Sequence, residues 1–85
     1  MINLNYLKNK TVLVTGGTGT FGRALTSKLL KESDVKKIII FSRDEFKQGN
    51  MQNDLKDYAK RLRFFIGDIR DLQRLERALE GVDIV

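Results

Sequence analysis

Lys10-Thr11-Val12-Leu13-Val14-Thr15-Gly16-Gly17-Thr18-Gly19-Thr20-Phe21-Gly22-Arg23 is the stretch on which the fold turns. Its first part, Lys10 to Val14, is a short β-branched apolar run that stops at a glycine-rich turn, which predicts a buried strand. From Phe21 onward the spacing becomes helical. Phe21, Ala24, Leu25 and Leu29 share one face, with Arg23, Lys28 and Lys31 interspersed, so a packed helix is expected to about Lys31 or Glu32.

Working outward, Lys36 to Phe41 is a second apolar run, of the kind a parallel sheet buries on both faces. Ser42-Arg43-Asp44-Glu45 has the capping-box spacing and predicts a second helix starting at Ser42, weakly periodic from Phe46 to Lys60 and broken at Gly49-Asn50. Leu62 to Ile66 reads as a third strand ended by Gly67-Asp68. Asp71 then caps a third helix with Leu72, Leu75, Ala78 and Leu79 as its apolar stripe and Gly81 as its stop. Val82 to Val85 starts a fourth strand. Strands alternating with helices imply right-handed crossovers, hence an α/β, Rossmann-like parallel sheet in the order 3-2-1-4 with helices on both faces. Residues 1–85 therefore read as the N-terminal part of one such domain. The open side of the fourth strand implies truncation of a longer sheet.

Composition narrows the chemistry. The 85 residues contain no cysteine and no histidine, which removes disulfides, thiolate nucleophiles, imidazole bases and the usual zinc ligands, so no metal site is expected. Sixteen Lys and Arg against eleven Asp and Glu give a net charge of +5, but the basic residues are spread among the acids and lack interleaved aromatics. That pattern argues against nucleic acid, while charge alone does not choose between an acidic membrane surface and a small polyanion. The longest purely apolar run is Ile38 to Phe41, so neither a signal peptide nor a membrane span is expected and the default location is cytoplasmic.

The loop between the first strand and helix carries Gly17-x-Gly19-x-x-Gly22 and, one step wider, Gly16-x-x-Gly19-x-x-Gly22. Glycines there permit the tight turn, let backbone amides approach a pyrophosphate and let helix pack on strand, while the helix N-terminus favours negative charge. In a strand-loop-helix setting the pattern points to a dinucleotide. Arg23 stands where a nucleotide-triphosphate loop needs lysine, which argues against ATP or GTP hydrolysis.

Which dinucleotide depends on the residue about twenty positions past the last loop glycine, where an acid would bond the ribose hydroxyls of NAD. Counting from Gly22 gives Ser42, with Arg43 beside it. A short hydroxyl leaves room for a 2′-phosphate and a guanidinium grips it bidentately, so NADP is expected, with Lys47 adding charge. The competing reading makes Ser42 a plain helix cap and Arg43 and Lys47 solvated charges, or gives the ribose to Asp44 or Glu45. After the third strand, Asp68 is placed to accept from the adenine amine and the Ile69 backbone to bond the ring edge; alternatively Asp68 and Asp71 are turn and cap residues. Tyr6-Leu7-Lys8-Asn9-Lys10 has a Tyr-x-x-x-Lys spacing, but it precedes the first strand, at the wrong end of the sheet for catalysis.

These blocks together, Thr15 to Gly22, Ile38 to Gln48, Arg63 to Asp71 and Gly81 to Val85, closely resemble the N-terminus of inverting UDP-N-acetylglucosamine 4,6-dehydratases. Those enzymes belong to the extended short-chain dehydrogenase/reductase superfamily and overlap the polysaccharide biosynthesis proteins. The glycine loop is common to many sugar-nucleotide enzymes, whereas Ser42-Arg43-Asp44-Glu45-Phe46-Lys47-Gln48 is more selective. The resemblance implies a bacterial lyase that moves a hydride from sugar C4 to NADP⁺, eliminates water across C5 and C6, and returns the hydride to C6 with inversion at C5. It also implies a UDP-sugar substrate and a homo-oligomer. It assigns the cofactor phosphates to the amides from Thr18 through Gly19, Thr20 and Phe21 to Gly22, the 2′-phosphate to Ser42, Arg43 and Lys47, and adenine to Asp68 and Ile69. The family's catalytic Tyr and Lys would lie beyond Val85, so no catalytic residue is expected within these 85 and the fragment alone is expected to be inactive. A related epimerase, retaining NAD through an acid at position 42, and a non-enzymatic NADP sensor are the alternatives.

Overall fold

A computed structural model describes residues 7–85. Three strands, β1 (Thr11–Thr15), β2 (Lys37–Ser42) and β3 (Leu62–Ile66), form a parallel sheet with β2 in the centre. β1 and β2 are joined by α1 (Thr20–Glu32). β2 is followed by α2 (Glu45–Asp54) and a 3-10 turn (Lys56–Arg61), and β3 by α3 (Leu72–Ala78). Past α3, Gly81 takes φ +75°, and Ile84 makes one parallel bridge to Val12 on the side of β1 away from β2. The lateral order 3-2-1-4 is thus present, but the fourth position is a bridge rather than a strand. The Asp83 carboxylate anchors it by accepting from the Thr11 amide at 2.8 Å.

Two-residue alternation divides the strands between two cores. Val12, Ile38 and Ile40 face Leu29, Leu30 and Met51, so α1 and α2 cover one face; Leu13, Ile39 and Phe41 face Ala78 with Leu75 and Leu79, so α3 covers the other. β2 is buried on both sides, which is why its sequence reads as an unbroken apolar run.

The helices correct several expectations. Phe21 and Ala24 are exposed, and α1 packs instead through Gly22, Thr26, Leu29 and Leu30. The glycine at position 22 brings the helix so close to the sheet that its neighbours at helical spacing, not Phe21, become the inner face. Leu72 of the expected α3 stripe is exposed as well, while Leu75, Ala78 and Leu79 are packed as expected. Ser42 does not cap α2: it is the last residue of β2, and Asp44 caps the helix by accepting from the Lys47 amide at 2.9 Å. The Ser42 carbonyl is still in the sheet, accepting from Gly67 N at 2.9 Å, so the chain has not yet turned where the capping box would start. A carboxylate also suits a helix N-terminus better than a hydroxyl does.

Gly49-Asn50 does not interrupt α2, which runs on to Asp54 before the break. An added Cβ at Gly49 would meet nothing within 4 Å. Gly49→Ala is therefore expected to raise stability by about 0.5–1 kcal/mol through the entropy of the unfolded chain. A thermal melt checks this, and a lower midpoint than wild type contradicts it.

Candidate functional site

Because the strands are parallel, the loops that follow them leave from one edge of the sheet, and they enclose an open groove of about 1150 Å3. Its lining comes from Thr15 at the end of β1 with Gly16, Thr18 and Gly19 beyond it, from Phe41 and Ser42 at the end of β2 with Arg43 to Glu45 beyond it, and from Gly67 to Arg70 after β3. Backbone bonds fix the three walls: Gly16 N donates to Phe41 O at 3.0 Å, and Gly67 N to Ser42 O at 2.9 Å.

Each loop glycine has its own reason. Gly16 adopts φ +64°. A Cβ on Gly17 would lie 2.9 Å from Cγ2 of the buried Ile40, and one on Gly22 would lie 2.5 Å from Gly17 Cα. Gly17 and Gly22 are thus the contact through which α1 approaches the sheet. Gly19 differs: its Cβ would meet only Gly16 O at 3.5 Å, an ordinary contact, so the packing of the chain does not demand glycine there. Gly19 is also the N-cap of α1, where no side chain caps the helix and the first turn holds no acid. Amides of that first turn have no acceptor within the helix and carry its positive dipole end. An anion lying against Gly19 would satisfy both conditions.

Arg43 extends a 72% exposed side chain at the β2 wall, with Nη1 3.7 Å from Asp68 Oδ2. Asp68 is held more tightly by Arg70, whose Nη2 lies 2.7 Å from Oδ2 and whose backbone amide donates to Oδ1 at 2.9 Å. The Arg70 guanidinium bonds, then its amide, hold the Asp68 carboxyl well below the usual carboxylate range, with a smaller contribution from the Arg43 charge. Asp68 is consequently an ionised acceptor at any ordinary pH, and most of its capacity faces Arg70.

The groove brings together Gly16, Thr18, Gly19, Ser42, Arg43, Asp68 and Ile69 of the expected cofactor residues. Thr20, Phe21, Gly22 and Lys47 do not line it. Gly22 is buried behind the loop and Phe21 is 78% exposed. Lys47 lies in the first turn of α2, where its amide is taken by Asp44. Tyr6 of the Tyr-x-x-x-Lys spacing lies outside the described residues, and Lys10 immediately precedes β1.

Two polar residues of the site escaped sequence reasoning. Arg70 binds the acid two positions before it, a spacing visible in Asp68-Ile69-Arg70 once a turn is assumed. Gln48 is 3% exposed and donates to Ser42 Oγ at 2.9 Å and Phe65 O at 3.0 Å. Its spacing with Met51 on the inner face of α2 was the only signal available.

Among the described residues, no helix is long and apolar enough to cross a membrane. The chain is 49% identical over 76 residues to the UDP-N-acetylglucosamine 4,6-dehydratase (inverting) of Campylobacter jejuni, covering 89% of this chain and 22% of that protein. It is 48% identical over 80 residues to the UDP-glucose 4-epimerase of Rickettsia prowazekii, covering 91% of this chain and 23% of the relative. Among solved structures, Pen from Bacillus thuringiensis superposes with a TM-score of 0.83 at 40% identity, over 93% of this chain and 24% of that one. The chain thus spans less than a quarter of the length of each of these relatives. Two activities, dehydratase and epimerase, stand at nearly the same identity among these relatives. The sequence pattern of the polysaccharide biosynthesis proteins matches residues 12–85, nearly the whole of the chain, and the chain belongs to that family.

Proposed function

We propose that this chain is the NADP(H)-binding segment of a nucleotide-sugar 4,6-dehydratase acting on UDP-N-acetylglucosamine. The observation that carries the reading is the juxtaposition, in one groove, of an uncapped helix N-terminus at Gly19 and a serine-arginine pair at the end of β2. The groove residues fit such a cofactor. Gly19 leaves space for a diphosphate against main-chain N–H groups, Ser42 is too short to fill the ribose position, and Arg43 has guanidinium donors directed to solvent.

In this role the backbone at Gly16 to Gly19 binds the diphosphate, Ser42 and Arg43 hold the 2′-phosphate, and Ile69 offers an apolar side chain to the adenine. Lys47 adds long-range positive charge from the first turn of α2. When bound, NADP supplies the hydride acceptor and donor of the reaction. In this reading the described groove residues bind and orient the cofactor. The polyanionic partner also accounts for the chain's net charge of +5 without invoking nucleic acid.

Arg43→Ala in the intact protein is expected to weaken NADPH by about ten- to a hundredfold while changing NADH by less than about twofold, as loss of a charge-assisted pair to phosphate requires. Titration of both cofactors checks this; equal affinities in the wild type would remove the NADP assignment. A 4-epimerase is the second reading, favoured by the 48% identity to the Rickettsia prowazekii protein. Incubation with UDP-N-acetylglucosamine separates the two, because a dehydratase product is lighter by one water and an epimer keeps the mass of the substrate.

A further inference from the structure

Gln48 is a polar side chain that packing alone does not require. It lies beside Met51 on the inner face of α2, a place where an apolar residue of the same length would fill the space. Three acceptors surround its Nε2: Ser42 Oγ at 2.9 Å, Phe65 O at 3.0 Å and Ser42 O at 3.3 Å. Two of them are carbonyl oxygens, so the amide cannot be turned over without setting Oε1 against them. Ser42 O already accepts from Gly67 N at 2.9 Å. The two Gln48 N–H groups therefore go chiefly to Phe65 O and to the serine hydroxyl.

The consequence falls on Ser42. Its Oγ accepts from inside the protein, which takes one lone pair and forbids the hydroxyl proton from pointing the same way. Among the described residues Ser42 Oγ enters side-chain hydrogen bonding only as the acceptor from Gln48, and Ser42 lines the groove. A serine that rotates freely is as ready to accept as to donate; this one has half of its accepting capacity already engaged and its proton turned away from Gln48, which tilts it towards donating. A phosphate dianion only accepts, and it does so with a charge-assisted bond about twice as strong as one to a ribose hydroxyl.

We propose that Gln48 is a positioning residue for cofactor choice, orienting the Ser42 hydroxyl as a hydrogen-bond donor into the groove and so favouring a 2′-phosphate over a 2′-hydroxyl. This rests on the NADP reading of the groove. The same amide bridges α2 to the ends of β2 and β3, so a structural role must be separated from the selective one. The ratio of NADPH to NADH affinity does this, because both ligands are measured on the same folded molecules.

The test is a double-mutant cycle in the intact protein on Gln48→Met and Ser42→Ala, with NADPH and NADH titrated against all four forms. Each single change is expected to lower the wild-type preference for NADPH by about fivefold, and the double variant to match Ser42→Ala within about twofold. Gln48→Asn, which withdraws the donor by one methylene but keeps an amide, gives the same reading if the methionine variant does not fold. An unchanged preference in the Gln48 variants, or losses that multiply in the double variant, overturns the proposal while leaving the NADP assignment intact. A wild type without preference for NADPH overturns both, and that result is read before any variant is made.

Discussion

Gly22→Ala lowers the unfolding free energy by about 2–4 kcal/mol and reduces dinucleotide affinity at least tenfold, although position 22 is buried behind the groove loop. Its Cβ would lie 2.5 Å from Gly17 Cα and 2.7 Å from the Gly17 carbonyl carbon and oxygen. Those are backbone atoms, so no rotamer change relieves the overlap. Gly17 cannot retreat either, because buried Ile40 stands behind it, close enough that a Cβ on Gly17 would come within 2.9 Å of Ile40 Cγ2. The remaining movement is for α1 to tilt off β1, which opens the Leu29 and Leu30 contacts with Val12 and Ile38 and carries the helix N-terminus away from Gly16. Carried by the 85 residues alone, the energy corresponds to a fall in Tm of roughly 10–30 °C. Gly19→Ala is the control. Its added methyl meets only an ordinary contact at 3.5 Å, so its stability stays within about 1 kcal/mol of wild type while its affinity falls. Melts of the two variants that coincide would contradict this division of labour between glycines that pack and a glycine that makes room.

The same division explains what could be read without coordinates. Local patterns located the strands, since a buried apolar run and its glycine stop are properties of the chain itself. β3 begins and ends where expected, and β1 and β2 each lie one residue later, because Thr15 and Ser42 stay in the parallel ladder after the apolar run has ended. Where two local signals competed, only the fold decided between them. Ser42 and Glu45 had the spacing of a capping box, but the sheet holds Ser42 and the carboxylate of Asp44 takes the cap. The groove was legible at its first two walls, where a glycine pattern and a counted interval mark positions. At the third wall the position of Asp68 was legible and its commitment was not, for its partner Arg70 depends on how the Gly67 to Asp71 turn closes. The partners of Gln48 were not legible for a further reason: its acceptors lie 6 and 17 positions away on two different strands.

Arg61→Ala is expected to destabilise the chain by about 2–4 kcal/mol while leaving the NADPH-to-NADH preference unchanged, as its side chain serves the fold on the opposite side of the molecule's chemistry. Arg61 ends the 3-10 turn before β3, and its guanidinium spans three carbonyls that no other group satisfies in the same way. Nη1 donates to Leu30 O at 2.8 Å, Nη2 to Ser33 O at 3.0 Å and to Val35 O at 2.9 Å, and Nε to Val35 O at 3.2 Å. Leu30 lies in the last turn of α1, whose carbonyls lack intrahelical donors and bear the negative end of the helix dipole. One side chain thereby ties the end of α1 and the loop into β2 to the start of β3. Truncation leaves partly buried carbonyls facing a void at the point where three elements meet. Arg61→Lys recovers less than about half of the loss, because a single ammonium cannot reach three carbonyls held in a planar fork's geometry. Denaturant melts of the wild type and both variants give the ordering; a lysine variant as stable as wild type would show that charge at the helix end, rather than the fork, is what holds α1 in place.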